Sequence, residues 1–142
     1  MKLYIGSDHA GFEMKEALKQ WISAEFPSIT TEDKGCSSAE SCDYADYAHA
    51  VAVSVNNDSR GILLCGSANG VSIAANKHAG VRAALCWTEE IATLARQHND
   101  ANILSIPARF VTMEVAQAMV GAFLNTPFEG GRHAKRVEKI DL

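Results

Sequence analysis

Short apolar runs alternate with longer amphipathic segments along the whole chain, and this alternation constrains the fold more than any other feature. The apolar runs are rich in Leu, Ile and Val, as strands are when both faces of a parallel sheet are covered. We expect five strands, at 3–5, 29–32, 61–65, 81–86 and 103–106. Strands that alternate with helices predict a doubly wound α/β fold with a parallel sheet.

The segments between these strands carry apolar residues at helical spacing. In the first segment, at 11–25, Phe12, Leu18 and Ile22 follow that spacing while Lys and Glu fill the other positions. Thr88 stands before two glutamates, which is typical of a helix N-cap. Residues 34–46 are polar and are predicted to form a loop. The other helices are expected at 47–57, 71–77, from Thr88 to about 98–100, at 112–125 and at 132–142.

Length and composition limit the classes of function. The 142 residues predict a single domain, and 13 Lys and Arg against 17 Asp and Glu give a net charge of −4. This balance gives no electrostatic basis for nucleic-acid binding, and no apolar run is long enough to cross a membrane. Without an export signal at the N-terminus, we expect a cytoplasmic protein. The cysteines lack zinc-ligand spacing and are expected to be free thiols; they are Cys36, Cys42, Cys65 and Cys86.

The turn at 66–70 follows a buried strand and precedes a helix. In parallel sheets, ligands bind beyond the carboxyl ends of the strands, where backbone N–H groups and the helix dipole favour anions. Cys65 ends that strand, and a helix N-terminus beside it would favour its thiolate. Small-residue turns and buried strand cysteines also occur for packing alone, so both interpretations stay open.

Two further pairs of polar residues, Asp8 with His9 and His98 with Asn99, lie at other strand or helix ends. Asp8 and His9 follow the first strand and are expected to be exposed there, because burying both is costly; they would suit proton transfer or phosphate binding. Alternatively, Asp8 only caps a helix. His98 and Asn99 either cap a helix C-terminus or take part in catalysis.

Arg132 and Arg136 lie four residues apart and share one face of a helix, where they would clamp a phosphate or form a solvated surface. The other histidines, which are His49, His78 and His133, are interpreted as surface or packing residues. A phosphatase of the cysteine type needs an arginine six residues after its nucleophile, and Val71 occupies that position after Cys65. The phosphatase hypothesis therefore fails.

Five segments resemble the ribose-5-phosphate isomerase type B family, which includes galactose-6-phosphate and allose-6-phosphate isomerases. They are GSDHAG at 6–11, CGSANGVSIAANK at 65–77, RAALC at 82–86, ARQHNDANIL at 95–104 and GGRHAKRVEKI at 130–140. They occur in family order over nearly the whole chain. The resemblance implies a three-layer α/β/α sandwich with a five-stranded parallel Rossmann-like sheet. It also implies a homodimer or homotetramer with interfacial active sites, and the helix at 132–142 is expected at that interface.

The resemblance further implies an aldose–ketose isomerase of the pentose phosphate pathway, which interconverts ribose 5-phosphate and ribulose 5-phosphate without metal or cofactor. Cys65 resembles the base that moves the carbon proton, Asp8 the proton carrier between oxygens, and His98 the acid that opens the furanose ring. The Ser67 hydroxyl and the turn amides would hold the enediolate. The substrate-binding residues implied are Asp8, His9, Gly66, Ser67, Ala68, Asn69, Gly70, Asn99, Arg109, Arg132 and Arg136.

The turn departs from the commoner family pattern, CGTGxG, at two positions. Ser67 replaces Thr and keeps the hydroxyl; Ala68 replaces Gly and would cost about 1 kcal/mol if the backbone there is left-handed. A family branch uses a Glu after SGNG as its base, but this chain has Val71 there and keeps Cys65. Three alternatives stay open: an isomerase of 6-phosphohexoses, a phosphosugar-binding module without catalysis, and a flavodoxin-like nucleotide binder with Trp87 as its one stacking candidate.

Overall fold

The structure is a computed structural model that describes residues 1–141. Leu142, the last residue of the helix predicted at 132–142, lies outside the described residues. Five strands form one sheet in which all pairings are parallel, in the order β2-β1-β3-β5-β4. Their bounds are β1 Lys2–Ser7, β2 Thr30–Asp33, β3 Ser59–Cys65, β4 Ala83–Leu85 and β5 Ile103–Pro107. The five-stranded parallel sheet is therefore confirmed.

Helices cover both faces of the sheet. Their bounds are α1 Phe12–Glu25, α2 Tyr44–Ala52, α3 Asn69–Ala75, α4 Glu89–Asn99, α5 Met113–Asn125 and α6 Arg132–Glu138. On one face, Leu18, Met119 and Phe123 from α1 and α5 pack with Ala92 of α4 in the larger core. On the other face, α2 and α3 form a smaller core with the sheet. These layers confirm the α/β/α sandwich.

The helix ends follow local hydrogen bonding. Thr88 caps α4 as predicted, since its hydroxyl accepts a bond from the Ile91 amide at 3.2 Å. Helix α2 begins at Tyr44 instead of 47. It ends at Ala52 instead of 57, because the amides of Ser54 and Val55 both donate to the carbonyl of Val51 and the helical hydrogen bonding stops there. Helix α6 ends at Glu138, short of the predicted 142.

Lys15 breaks the pattern that predicted α1, because this lysine is fully buried. Its ammonium group donates to both carboxylate oxygens of Asp33 at 2.8 Å and to the Cys36 carbonyl at 2.6 Å. Burial opposes ionisation of Asp33, but the bonds from Lys15 and Lys19 outweigh it and hold the pKa of this carboxyl below its usual range. The contacts join α1, β2 and the loop that leads to α2.

Strand β4 lies at one edge of the sheet, and the side chain of Asn76 covers part of that edge. Its carboxamide accepts a bond from the Ala83 amide at 2.8 Å and donates to the Ala83 carbonyl at 3.0 Å. Both backbone groups of Ala83 that a further strand would need are thus occupied. Among the helices that the structure describes, none is long and apolar enough to span a bilayer.

Candidate active site

A cavity of about 280 Å³ lies at the carboxyl ends of β1 and β3. These strands are neighbours in the sheet, with Ser7 opposite Leu64, so the residues that follow each strand lie side by side. The cavity is lined by Asp8, His9, Ala10, Tyr44, Cys65, Gly66, Ser67, Gly70 and Arg109. Seven of these were predicted as site residues, and Ala10 and Tyr44 were not. The crevice expected at the carboxyl edge of the sheet is present.

Asp8 both lines this cavity and caps the short 3-10 turn that precedes α1. Its side chain is only 7% exposed, which corrects the expectation that Asp8 would be exposed. The carboxylate accepts a bond from the Gly11 amide at 3.1 Å, and the Asp8 amide donates to the Leu64 carbonyl at 3.2 Å. These bonds satisfy the buried polar groups and fix the carboxylate beside β3.

His9 is half-buried, and the backbone determines which of its nitrogens can donate. The Cys42 amide lies 3.3 Å from its Nδ1 and donates to it. In the neutral imidazole, the proton then resides on Nε2, which becomes a hydrogen-bond donor. A donor at this position suits an anionic ligand group such as a phosphate.

The turn at 66–70 holds Ala68 in the left-handed region, with φ 64° and ψ 2°. This is the conformation for which the sequence predicted an energetic cost at Ala68. The residue is fully buried, and its carbonyl accepts a bond from the Ser72 hydroxyl at 2.7 Å. Ser67 is exposed, and its hydroxyl accepts a bond from the Asn69 amide at 3.3 Å. The turn is therefore held by its own hydrogen bonds as well as by packing.

Cys65 ends β3 with its side chain 6% exposed, at the base of the cavity. The next loop along the sheet is joined to it, because the Ala108 amide donates to the Cys65 carbonyl at 2.9 Å and the Arg109 amide to the Gly66 carbonyl at 3.1 Å. A Cβ on Gly66 would lie 3.2 Å from the Arg109 side chain, so the arginine packs against the glycine backbone. This contact brings a permanent positive charge into the cavity.

Tyr44 is a cavity residue that the sequence analysis missed. Its ring packs against Gly70 so closely that a Cβ there would lie 2.3 Å from the tyrosine Cε1. The sequence analysis placed Tyr44 inside the polar loop at 34–46, where a single aromatic residue is the one signal that the sequence offers. The pair connects α2 with α3 at the mouth of the cavity.

Part of the predicted site lies elsewhere in the chain. A second cavity, of about 390 Å³, lies between the end of α4 and α6 and is lined by His98, Asn99, His133, Arg136, Val137 and Ile140. Within residues 1–141, none of these lines the cavity of Cys65. Arg132, Ala68 and Asn69 line neither of the two cavities. A single subunit thus presents two separate groups of predicted site residues.

The second cavity contains two stacked histidines. The ring centroids of His98 and His133 are 4.2 Å apart, with 12° between the ring planes. His133 was interpreted as a surface or packing residue, and the structure places it inside this cavity at 7% exposure. Burial, followed by the charges of His98 and Arg132, lowers the pKa of His133. His133 is therefore predominantly neutral at pH 7.

Glu129 approaches both rings, and the three side chains bring their ligand atoms within 4.8 Å of one another. Tetrahedral ligands at 2.0–2.1 Å from a zinc ion lie about 3.4 Å apart, so the spacing alone resembles a metal site. However, an imidazole nitrogen binds a metal in the plane of its ring. Two nearly parallel rings cannot direct their lone pairs at one ion, so the observed geometry does not suit a shared metal.

Comparisons with known proteins identify the family to which this sequence and this fold are similar. A sequence model of the family described as Ribose/Galactose Isomerase matches residues 3–140. Ribose-5-phosphate isomerase B of Escherichia coli strain K12 is 43% identical over 141 residues, which cover 98% of this chain and 93% of that protein.

Solved structures are similar over nearly the full length. The ribose 5-phosphate isomerase of Thermotoga maritima has a TM-score of 0.94 and 51% identity, covering 99% of this chain and 97% of that one. Ribose-5-phosphate isomerase B of Mycoplasma genitalium was solved with bound ribulose-5-phosphate. It has a TM-score of 0.93 and 40% identity, and the match covers 98% of this chain and 93% of that one. On this evidence from sequence and fold, the chain belongs to the ribose/galactose isomerase family.

Proposed function

We propose that this chain interconverts ribose 5-phosphate and ribulose 5-phosphate, with Cys65 as the base that moves the carbon proton. The observation that carries the proposal is the meeting of Cys65, Asp8 and Ser67 in one cavity at the carboxyl ends of β1 and β3. A relative of the same fold was solved with ribulose-5-phosphate bound. A thiol, a carboxylate and a hydroxyl supply the proton-transfer groups of an aldose–ketose isomerisation.

The chemistry moves one carbon proton and one oxygen proton within the substrate. The Cys65 thiolate takes the proton from C2 of the open-chain aldose, and the electron pair of that C–H bond forms the enediolate. The thiol then returns the proton to C1, while Asp8 carries the proton of the C2 hydroxyl to the C1 oxygen. The Ser67 hydroxyl, at the rim of the same cavity, would donate to the developing oxyanion.

The same cavity offers groups for the phosphate. His9 presents its Nε2 as a donor, because its Nδ1 is occupied by the Cys42 amide. Arg109 lies against Gly66 and adds a guanidinium, which forms bidentate bonds to phosphate oxygens.

We further propose that the chain acts as a homo-oligomer in which His98, Asn99, Arg132 and Arg136 of one subunit complete the Cys65 cavity of another. Two observations support this arrangement. His98, Asn99 and Arg136 line a different cavity of the same subunit from Cys65, and large apolar side chains are exposed near both cavities, including Phe110 beside Arg109 and Ile140 beside His98. A partner subunit that completes the Cys65 cavity would also cover these apolar side chains. Helix α6 would then pack at the interface.

The test is conversion of ribose 5-phosphate by the purified protein in EDTA, beside Cys65→Ala and the control Cys42→Ser. We expect turnover in the parent and the control. Cys65→Ala should lose turnover while its affinity for the substrate stays within about tenfold, because the thiol acts mainly in the transition state. Turnover by Cys65→Ala would overturn the role of the base. Faster conversion of allose 6-phosphate or galactose 6-phosphate by the parent would overturn the choice of substrate.

A further inference from the structure

We infer that Glu129 and His133 are positioning residues for His98, and that they hold its imidazole in the orientation needed to open the furanose ring of the substrate. The inference rests on the proposed function and adds two residues that the isomerase chemistry did not require. It begins from the stacked pair of rings, 4.2 Å apart and 12° from parallel.

The carboxylate of Glu129 faces both histidines. Its Oε1 lies 3.8 Å from the Nε2 of His98 and 3.5 Å from the Nε2 of His133. The backbone of Glu129 is itself fixed to α4, because its amide donates to the Gln97 carbonyl at 3.1 Å. Gln97 immediately precedes His98, so the carboxylate is tied to the segment that carries the imidazole it faces.

His133 supplies the rigid surface of the pair. Its side chain is almost fully buried, and its amide donates to the Gly130 carbonyl at 3.0 Å where α6 begins. His98, in contrast, lies at the end of α4 with 38% of its side chain exposed. An exposed imidazole has several rotamers, and stacking on a buried ring selects one of them. The stack therefore reduces the freedom of His98 before the substrate arrives.

Opening of the furanose ring requires a fixed orientation of the His98 imidazole. The furanose ring opens when its oxygen receives a proton, the bond from that oxygen to C1 breaks, and the C1 hydroxyl loses its proton to leave the aldehyde. An imidazolium that donates the first proton must point at the ring oxygen within hydrogen-bond reach. Glu129 offers a negative charge to that imidazolium, because its Oε1 lies 3.8 Å from the Nε2 of His98. A neutral His133 adds no further positive charge to the stack.

The experiment uses the rate of ribose 5-phosphate conversion at increasing enzyme concentration. An enzyme that opens the ring itself gives a rate proportional to its concentration. An enzyme that has lost ring opening must wait for spontaneous opening, so its rate reaches a plateau. Ribulose 5-phosphate has its C5 hydroxyl blocked by the phosphate and forms no furanose ring. The reverse reaction therefore shows no plateau and serves as the internal reference.

The variants are His133→Ala, Glu129→Gln and His133→Phe, with Glu138→Gln on the same helix as the matched control and His98→Asn as the reference for lost ring opening. We expect a plateau for His98→Asn, His133→Ala and Glu129→Gln in the forward direction only, with forward rates at high enzyme concentration at least about tenfold below the parent. His133→Phe keeps an aromatic surface for stacking and should restore proportionality.

Several outcomes would overturn the inference. Proportional forward rates for His133→Ala and Glu129→Gln would remove the positioning role, and so would a plateau in His133→Phe. Equal loss in both directions without a plateau would mean general structural damage instead. Proportional rates in His98→Asn would remove the premise that His98 opens the ring. Absence of turnover in the parent would instead count against the proposed function, so the two failures are distinguishable.

Discussion

The ammonium group of Lys15 lies 2.8 Å from both carboxylate oxygens of Asp33, although the lysine side chain has no solvent exposure. Removing one member of a buried charged pair leaves the other uncompensated. Asp33 keeps a second partner in Lys19, whose ammonium lies 2.7 Å away, so the loss is partly compensated.

We therefore expect Lys15→Met to lower the free energy of unfolding by about 3 kcal/mol. The matched control is Lys19→Met, which removes an ion pair at the surface and should cost less than about 1 kcal/mol. Urea denaturation of both variants measures the difference. Equal losses in the two variants would show that the burial of Lys15 adds nothing to its contribution.

The same carboxylate predicts how stability depends on pH. The bonds from Lys15 and Lys19 outweigh burial and lower the pKa of Asp33, so the folded state releases its proton at a lower pH than the unfolded state does. This contribution is complete above the unfolded pKa of about 3.9 and is lost as the pH falls through the folded value.

We expect the difference in urea midpoint between the parent and Asp33→Asn to be largest near pH 7 and to shrink below about pH 4. The measurement is a set of urea unfolding curves between pH 7 and pH 3. A difference that stays constant over this range would mean that Asp33 stabilises the fold through its shape and not its charge.

Replacing Ala68 by glycine is expected to have opposing effects on the stability of the fold. A left-handed backbone costs a residue with a Cβ about 1–2 kcal/mol, which Ala68→Gly would recover. The glycine also loses a buried methyl group worth about 0.8 kcal/mol and adds about 0.4–1 kcal/mol of unfolded-state entropy. We expect Ala68→Gly to change stability by less than about 1 kcal/mol, measured by thermal unfolding.

A β-branched side chain at position 68 is expected to destabilise the fold, because no favourable effect offsets the strain of its left-handed backbone. Ala68→Val should destabilise the fold by more than about 2 kcal/mol, because strain from the left-handed backbone combines with overpacking at a fully buried site. Turnover should persist in Ala68→Gly. Strong stabilisation of Ala68→Gly together with a large gain in kcat would indicate that alanine impairs this turn.

Substitutions at Gly70 and Tyr44 are expected to be energetically coupled, because the tyrosine ring packs against the glycine. A methyl group at Gly70 would displace the tyrosine ring, since its Cβ would lie 2.3 Å from Cε1. We expect Gly70→Ala to lower kcat/KM for ribose 5-phosphate, and to have little further effect once Tyr44→Ala has removed the ring. The double-mutant cycle should give a coupling energy of about 1–3 kcal/mol. Additive effects would mean that the glycine acts through its backbone and not through the space it leaves.

The separation of the two cavities predicts complementation between inactive subunits. Cys65→Ala should be inactive alone, and His98→Asn alone should reach only the plateau set by spontaneous ring opening when ribose 5-phosphate is assayed at high enzyme concentration. In a mixed dimer, one interfacial site carries both substitutions and the other carries neither, so about half of the parent activity should return. Refolding the two variants together, with differently tagged subunits, provides the measurement. No recovery in verified mixed dimers would place both residues in one subunit's site.

The sequence predicted the sheet because its signals are local. Apolar runs marked β1, β3, β4 and β5, whereas β2 reads TTED and was placed from its position after Pro27. Thr88 marked the start of α4 through the residues next to it. It also predicted Asp8 and Cys65 at one edge, because the ends of parallel strands meet there.

What the sequence could not predict depends on distant partners. The burial of Lys15 depends on Asp33, and the place of His133 in a cavity depends on His98 in another helix. The contact between Tyr44 and Gly70 likewise joins two helices whose relative placement no periodicity specifies. The distribution of site residues over two cavities depends on how the segments pack, which the order of motifs along the chain does not record.

The carboxamide of Asn76 has a consequence for how copies of this chain can meet. By occupying the amide and the carbonyl of Ala83, it imitates a neighbouring strand at the outer side of β4. A second copy therefore finds no open backbone at that residue to extend the sheet. The ladder growth that leads to fibres is thus blocked at Ala83 by a side chain of the same subunit.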